Sequence, residues 1–341
     1  MSMSVPTTGP ETLGGTSNEA LVDPNSATAK EISGKSPMRI ALGRLLKDKI
    51  AVVCAIIAFF FILVAIFAGT ISNFFNVSLE VPFAAEVLDI VRGGLPKEGP
   101  PLHGYDPDHP FGIAPRTGED NLANWVYGCR TSLIIAGTAT LFASVFGIIM
   151  GLVAGFLGGM VDRIISFITD LFLTIPFLLA ALTLAPIIGE RFSLSPNYFT
   201  IQRYTLIGVL AVFGWMGVAR LIRGEVLSLR EREFVQAARV LGMPTWRILL
   251  KELLPNLAAP IVVSVSLMLP AFVAIEAGLA FLGIGVTSGA SWGQTINKAV
   301  PFFDNYPLYL YEPMIGITLL VLSLNLLGDA IRDALDPKTR R

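Results

Sequence analysis

Six apolar segments, each near the length of a bilayer crossing, constrain this chain more than any other feature. They run Ile50 to Ile71, Ser132 to Phe156, Ile164 to Leu184, Tyr204 to Leu221, Ala258 to Leu282 and Met314 to Leu327. A helix rising 1.5 Å per residue needs about 20 such residues to cross the hydrocarbon core. The sixth segment is short as written and is expected to take in the turn before it or Asp329 after it. The fourth is interrupted by Gly214 and Gly217, which membrane helices tolerate. Charged residues are only 15% of the chain and hydrophobic ones 53%, with a mean hydropathy of +0.66. Soluble domains carry about 25% charge. The chain is therefore read as an all-α, polytopic membrane protein with six transmembrane helices.

Orientation follows from the basic residues. Arg39, Arg44, Lys47 and Lys49 precede the first span. Arg223, Arg230, Arg232, Arg239, Arg247 and Lys251 lie between the fourth and fifth, and Arg332, Lys338, Arg340 and Arg341 end the chain. With six spans these regions share one side, so both termini are expected in the cytoplasm. The long loop 72–131 on the other side is rich in acids, and the loop 283–313 holds only Lys298. The formal net charge of -1 says little beside this distribution. Residues 1–36, rich in Ser, Thr, Gly, Pro and Asn, are expected to be a disordered cytoplasmic tail. The first apolar run starts too far in and is too long for a secretory signal.

Gly147, Gly151 and Gly155 recur every four residues and fall on one helix face, where helix backbones can approach closely. Together with Gly137, Ala180 and Ala181 they argue for a tightly packed bundle. Cys54, in the first span, and Cys129, in the long loop, face opposite sides and are expected to be free thiols. His103 and His109 share a Pro/Asp-rich loop, without the further ligand a metal site would want, and are taken as ordinary loop residues.

The basic loop between spans four and five has internal order. Residues 231–241 suit a helix with Phe234, Ala238 and Leu241 on one face. Gly242 suits the position after its end, where a positive φ is needed. Pro244 suits the first position of a second helix. That helix would place Trp246, Leu249, Leu250 and Leu253 on one side, with Arg247 and Lys251 elsewhere, and so lie along the membrane interface until Pro255 ends it. The small Ala237 and Ala238 would admit a partner surface closely. The alternative is a solvated connector whose charges only fix topology.

Gln236-Ala237-Ala238, the later Gly242 and the run to Leu254-Pro255 resemble the "EAA" loop of ABC importer permeases. Other stretches are similar to the C-type permease of dipeptide, oligopeptide and nickel importers. They are Tyr127-Gly-Cys-Arg-Thr-Ser-Leu133, Asp170-Leu-Phe-Leu-Thr-Ile-Pro176, Ala219-Arg-Leu-Ile-Arg-Gly-Glu-Val-Leu-Ser228, Glu276-Ala-Gly-Leu-Ala-Phe-Leu-Gly283, Ser291-Trp-Gly293 and Leu324-Asn-Leu-Leu-Gly-Asp-Ala-Ile-Arg-Asp-Ala-Leu-Asp-Pro337. The resemblance runs from about residue 37 to the end and touches every span. It implies a type I importer permease domain over 37–341, with 222–257 as the cytoplasmic coupling loop. Phe234, Gln236, Ala237, Ala238, Arg239 and Gly242 would couple to an ATPase. The implied partners are a second, homologous permease, two cytoplasmic ATPases, an extracytoplasmic solute-binding protein and the lipid bilayer of a prokaryotic cell (inner or plasma) membrane, with no nucleic acid. Gln236 stands where the family usually has Glu, which removes a possible salt bridge but keeps the helix. The loop sequence His109-Pro-Phe-Gly112 is followed by residues that depart from the family's pattern. The extra length of 72–131 suggests an added contact surface.

No Gly-x-x-x-x-Gly-Lys-[Ser/Thr] stretch is present, so ATP binding by this chain is not expected. Neither a nucleophile–base–acid set nor zinc-type spacing is evident. The chain is therefore expected to hold no cofactor and to catalyse nothing; ATP-Mg would be used by partner subunits. Asp170, about 9 Å into the third span by helix rise, Glu276 toward the outer end of the fifth, and Asn325 in the sixth are the polar groups within spans. Such residues line a path or subunit interface, or tie helices together. The functional expectation is an ATP-driven importer of di- or oligopeptides, or of nickel chelates or other small solutes. The rivals are an ion-gradient-driven secondary transporter, for which no internal repeat is evident, and a non-transporting membrane scaffold.

Overall fold

The computed structural model describes residues 37–80, 84–97, 99, 104–286 and 289–336. The expected tail 1–36, His103 and the basic end 338–341 lie outside the described residues.

The chain opens with α1, Pro37–Leu45, and α2, Lys49–Ile66. Asp48 starts α2 by accepting the amides of Ile50 (2.9 Å) and Ala51 (3.4 Å), two of the donors that a helix start leaves unpaired. The first span was expected to run on to Ile71. Instead the helix breaks at Phe67, and α3, Ala68–Phe74, continues with the polar Thr70, Ser72 and Asn73. At 18 residues, α2 already covers about 27 Å of helix rise.

The 72–131 region is not one loop. It holds the end of α3, the short α4 (Ala84–Val87), and a hairpin pairing β1 (Leu88–Asp89) with β2 (Leu95–Pro96). This small hairpin qualifies the all-α expectation. The region ends at Asp120, which caps α5, Asn121–Leu157, by accepting the Ala123 amide at 2.9 Å. Residues 121–131 are thus helical, and Cys129 is buried on α5 rather than in a loop.

The third span differs most from expectation. The stretch Ile164–Leu184 is split between α6, Gly159–Thr174, and α7, Phe177–Arg191, which meet at an angle of 82°. Pro176 disfavours helical conformation in the residue before it, and Ile175 is extended accordingly (φ -81°, ψ 119°). The fourth span is longer than its apolar stretch: α8 runs Tyr198–Leu229 and carries Arg220 and Arg223 within it.

Next come α9, Glu233–Val240, α10, Thr245–Arg247, a π-helical segment Ile248–Leu253 and α11, Leu254–Asn256. The fifth span is α12, Ala258–Phe281. Then α13, Trp292–Ala299, and a 3₁₀ turn lead into α14, Pro307–Leu335, which extends the short sixth stretch at both ends. Five of these helices are long and apolar enough to cross a membrane, and α6 with α7 passes the same test as a bent pair, either a broken sixth span or a re-entrant loop. Large apolar side chains such as Ile56 and Phe60 on α2 and Leu141 and Phe142 on α5 stay exposed, as lipid-facing residues do.

The spine is the α5–α8 pair, with α12 and α14 packed against α5, α2 against α14 and α5, and α7 against α8. Glycine sets the spine's spacing. A Cβ on Gly147 would lie 2.6 Å from the Trp215 carbonyl oxygen, one on Gly151 2.6 Å from that of Ala219, and one on Gly155 2.9 Å from that of Arg223. The four-residue repeat therefore lies against α8 throughout, and the two backbones touch without intervening side chains.

Candidate functional site: the α9 surface and a charged cleft

The α9 helix is held at both ends. Gly242 takes φ +72° just past its end; its amide donates to the Arg239 carbonyl, and that of Met243 donates to Ala238, both at 3.0 Å. This pair of bonds closes the helix with the glycine-dependent reversal expected from the sequence. The buried face is not the expected one. Val235 and Ala238 point inward, against a cluster containing Leu152, Phe156, Ile222, Val226, Ile248 and Leu253. Phe234 is only partly covered, at 37% exposed, and Leu241 is 83% exposed because it caps the helix instead of continuing it. Val240, 87% exposed, stands beside it, making an apolar tip. Ala237 faces out while Ala238 is covered.

Two arginines fasten this helix and its approach to the end of α5. The Arg239 guanidinium lies 4.7 Å from the Phe156 ring centroid, a cation–π contact. Arg230 Nη1 donates to the Gly155 carbonyl at 3.1 Å. Gln236 is exposed and donates to the Arg230 carbonyl at 3.3 Å.

The segment after Gly242 corrects a second expectation. Pro244 sits before the helix as its cap rather than at its first position. The expected face of Trp246, Leu249, Leu250 and Leu253 does not form as one surface. Trp246 and Leu250 are exposed, whereas Ile248 and Leu253, five residues apart, are buried together. A π-helical turn bonds residues five apart and so changes the phase that an α-helical reading assumes. Pro255 does not end the segment: it lies inside α11, and the break comes at Leu257.

Beside this surface, charge is paired across α6 and α8. Asp162 is gripped by both Arg223 Nε (2.5 Å) and Nη2 (2.8 Å), and also accepts from Ser166 Oγ at 3.2 Å. Asp170, one turn before the Ile175 break, pairs with Arg220 Nη2 at 2.5 Å. Ser166, Asp170, Arg220 and Arg223 line a cleft of about 450 Å³ between α5, α6 and α8, floored by Gly151, Ala154 and Ala219, with Asp162 bracing Arg223 from beside it. Arg220 sits within a span and was passed over in the sequence because Asp170's partner is 50 residues away.

Glu276 and Asn325 do not line this cleft. Glu276 is fully buried, and its Oε1 accepts from Ser291 Oγ at 3.0 Å, which ties α12 to the start of α13. The join is tight: a Cβ on Gly293 would overlap the Ala277 carbonyl. Trp292 Nε1 donates to the Trp125 carbonyl (2.9 Å), and Trp125 Nε1 to that of Glu312 (3.1 Å). Asn325 is half-buried on α14, a turn from Gly328, which packs on Ser266 and Leu267 of α12.

A latch that the sequence did not reveal closes the end of the bundle far from α9. His109 Nδ1 lies 2.7 Å from Asp120 Oδ2, and the bond to this carboxylate raises the imidazole pKa above its ordinary 6.5. Asn121 Nδ2 donates to the Phe111 carbonyl (3.0 Å) and the Tyr306 hydroxyl (3.2 Å). Lys298 pairs with Glu119 at 3.2 Å. The His109–Asp120 bond closes this stretch on itself, and the Asn121 and Glu119 contacts bind it to the turn before α14 and to α13.

Residues 145–341 match the family described as "Binding-protein-dependent transport system inner membrane component", and residues 36–82 match the "N-terminal TM domain of oligopeptide transport permease C". The chain belongs to the family of binding-protein-dependent transport system inner membrane components. It is 32% identical over 320 residues to the "Oligopeptide transport system permease protein OppC" of Bacillus subtilis (strain 168), covering 93% of this chain and 95% of that one. It is 35% identical over 320 residues to the "Dipeptide transport system permease protein DppC" of Alkalihalophilus pseudofirmus, covering 93% and 96%. A chain from "Inward facing conformations of the MetNI methionine ABC transporter" is similar at a TM-score of 0.49 and 20% identity, over 62% of this chain and 96% of that one.

Proposed function

We propose that this chain is one permease subunit of an ATP-driven importer of di- or oligopeptides in a bacterial inner or plasma membrane. Its relatives are named as oligopeptide and dipeptide permeases. A second permease would complete the path, and a solute-binding protein would deliver cargo on the outer side. Two ATPases bearing ATP-Mg would act from the cytoplasm, the side that α9 would face. The observation that carries this reading is the α9 tip: Val240 and Leu241 expose apolar surface on a helix otherwise fixed in place. An exposed apolar patch within a basic surface marks a protein contact.

The geometry supplies a route for force. A push on α9 reaches the end of α5 through Arg239–Phe156 and Arg230–Gly155. The glycine seam makes α5 and α8 move as one body. The Asp162–Arg223 pair carries that displacement into α6, whose break at Ile175 lets it swing while α7 stays packed on α8. Closure of the ATPases would thus be converted into a switch between inward- and outward-facing states. The test is to co-purify the chain with its neighbouring-gene partners, reconstitute the complex in liposomes and measure dipeptide uptake. ATP-dependent uptake that requires the binding protein is expected. Uptake driven by an ion gradient without ATP would overturn the proposal.

A further inference from the structure

We infer that the cleft between α5, α6 and α8 is a transit subsite for the charged ends of a short zwitterionic peptide, with Asp170 taking the ammonium and Arg220 the carboxylate. The inference rests on the importer reading and adds the place where cargo is touched.

The two ion pairs of the cleft are built differently. Asp162 spends both oxygens on Arg223 and is further bonded by Ser166. It is a saturated brace, with 18% of its side chain exposed. The outer pair is open: the Asp170 and Arg220 side chains are 65% and 58% exposed and share a single hydrogen bond. Among the described residues neither makes a second. One carboxylate oxygen and most of a guanidinium fork therefore remain available, the fork being suited to carboxylate.

Acyl chains cannot be what this pair faces, because exposed charge in hydrocarbon is costly. The α6 helix is sided accordingly. Ile164, Phe167, Ile168 and Leu171 are exposed on one face. Asp162, Ser166, Thr169 and Asp170 fall on the opposite face, at helical spacing, and the last three line the cleft. The polar face thus opens on water or on cargo, away from the face suited to lipid. Its volume of about 450 Å³ lies within the range of small-molecule sites. A zwitterion inserted between Asp170 and Arg220 leaves every charge paired, so entry and exit exchange one set of ion pairs for another. Such an exchange is weak in both directions, as a passage site needs to be.

The experiment uses the full co-purified complex carrying Ser166→Cys, a near-isosteric change inside the cleft. Native Cys54 and Cys129 are buried and should contribute little to labelling by a maleimide. Millimolar L-alanyl-L-alanine is expected to slow labelling several-fold. N-acetyl-alanyl-alanine amide, which lacks both end charges, should not. Adding Asp170→Asn or Arg220→Gln should abolish the protection while size-exclusion elution of the assembled complex stays unchanged. Equal protection by the capped peptide, protection by glycerophosphoethanolamine as strong as by the dipeptide, or no protection at all would overturn the assignment. So would a thiol at this position that does not react. ATP-driven uptake measured on the same preparation separates the two claims: a complex that imports peptide but shows no end-charge-dependent protection sinks the cleft assignment alone.

Discussion

Replacing Gly151 by alanine tests whether the α5–α8 seam is a true backbone contact. The added Cβ would lie 2.6 Å from the Ala219 carbonyl oxygen, 2.8 Å from Ile222 Cβ and 3.1 Å from the Arg223 amide nitrogen. Ordinary contact begins near 3.4 Å, so α5 and α8 must part by several tenths of an ångström. No flexible side-chain end is available to yield, since two of the three atoms are backbone. Overpacking of this kind costs about 1–3 kcal/mol. Alanine is also favoured over glycine in a helix by about 0.8–1 kcal/mol, which offsets part of the loss. The expected net destabilisation is about 0–2 kcal/mol by difference of these terms. Gly137→Ala, on the same helix with nothing within 4 Å of the new Cβ, keeps only the favourable term and is the internal control. Thermal unfolding of the detergent-purified complex should place Gly151→Ala below the native protein and Gly137→Ala at or above it. Equal midpoints for the two variants would refute the packing argument.

Three further outcomes are expected. Gly242→Ala forces a side chain into φ +72° at a cost of about 1 kcal/mol or more. Hydrogen exchange at Met243, whose amide closes the α9 end, should accelerate several-fold, and unchanged exchange would contradict the assigned cap. His109 has a raised folded pKa, so its latch to Asp120 contributes fully below the free-imidazole value of 6.5 and is lost as pH rises through the raised folded value. Protection factors of the Gly112 and Ala114 amides should therefore fall with rising pH in the native chain and stay flat in His109→Gln; a flat native profile would remove the latch. Ala238→Leu should lower the stability of the α9 region by about 1–3 kcal/mol through overpacking, while the same change at the exposed Ala237 should be near neutral for folding. Equal effects on thermal unfolding would mean that the buried face is misassigned.

The apolar runs located the crossings because a span must satisfy lipid along about 20 residues, and that requirement is local. Their ends were less legible. Residues 121–131 mix Asn121, Asn124 and Arg130 with Trp125 and Val126, so hydropathy fades although the helix continues. The Asn121 and Asn124 side-chain amides donate to groups within the protein, which hydropathy does not register. In the third span the apolar run is continuous while the backbone is not; Pro176 was the visible signal. An eight-residue helix such as α9 allows more than one apolar register, and the cluster beneath it chose Val235 and Ala238. The glycine repeat was readable because its spacing alone fixes a face, whereas its partner α8 was not. Pairings such as Asp170–Arg220 and Asn121–Tyr306, 50 and 185 residues apart, leave no local pattern.

The claim on which the mechanism turns is that the α9 tip seats against an ATPase subunit. Single cysteines at Leu241 (exposed) and at Ala238 (buried) should be compared in the intact complex by zero-length or short crosslinking to the ATPase. Leu241→Cys is expected to crosslink efficiently and to change its yield between nucleotide-free and ATP-bound states, while Ala238→Cys stays unlinked. A correctly assembled, transporting complex in which Leu241→Cys never reaches the ATPase would contradict the account.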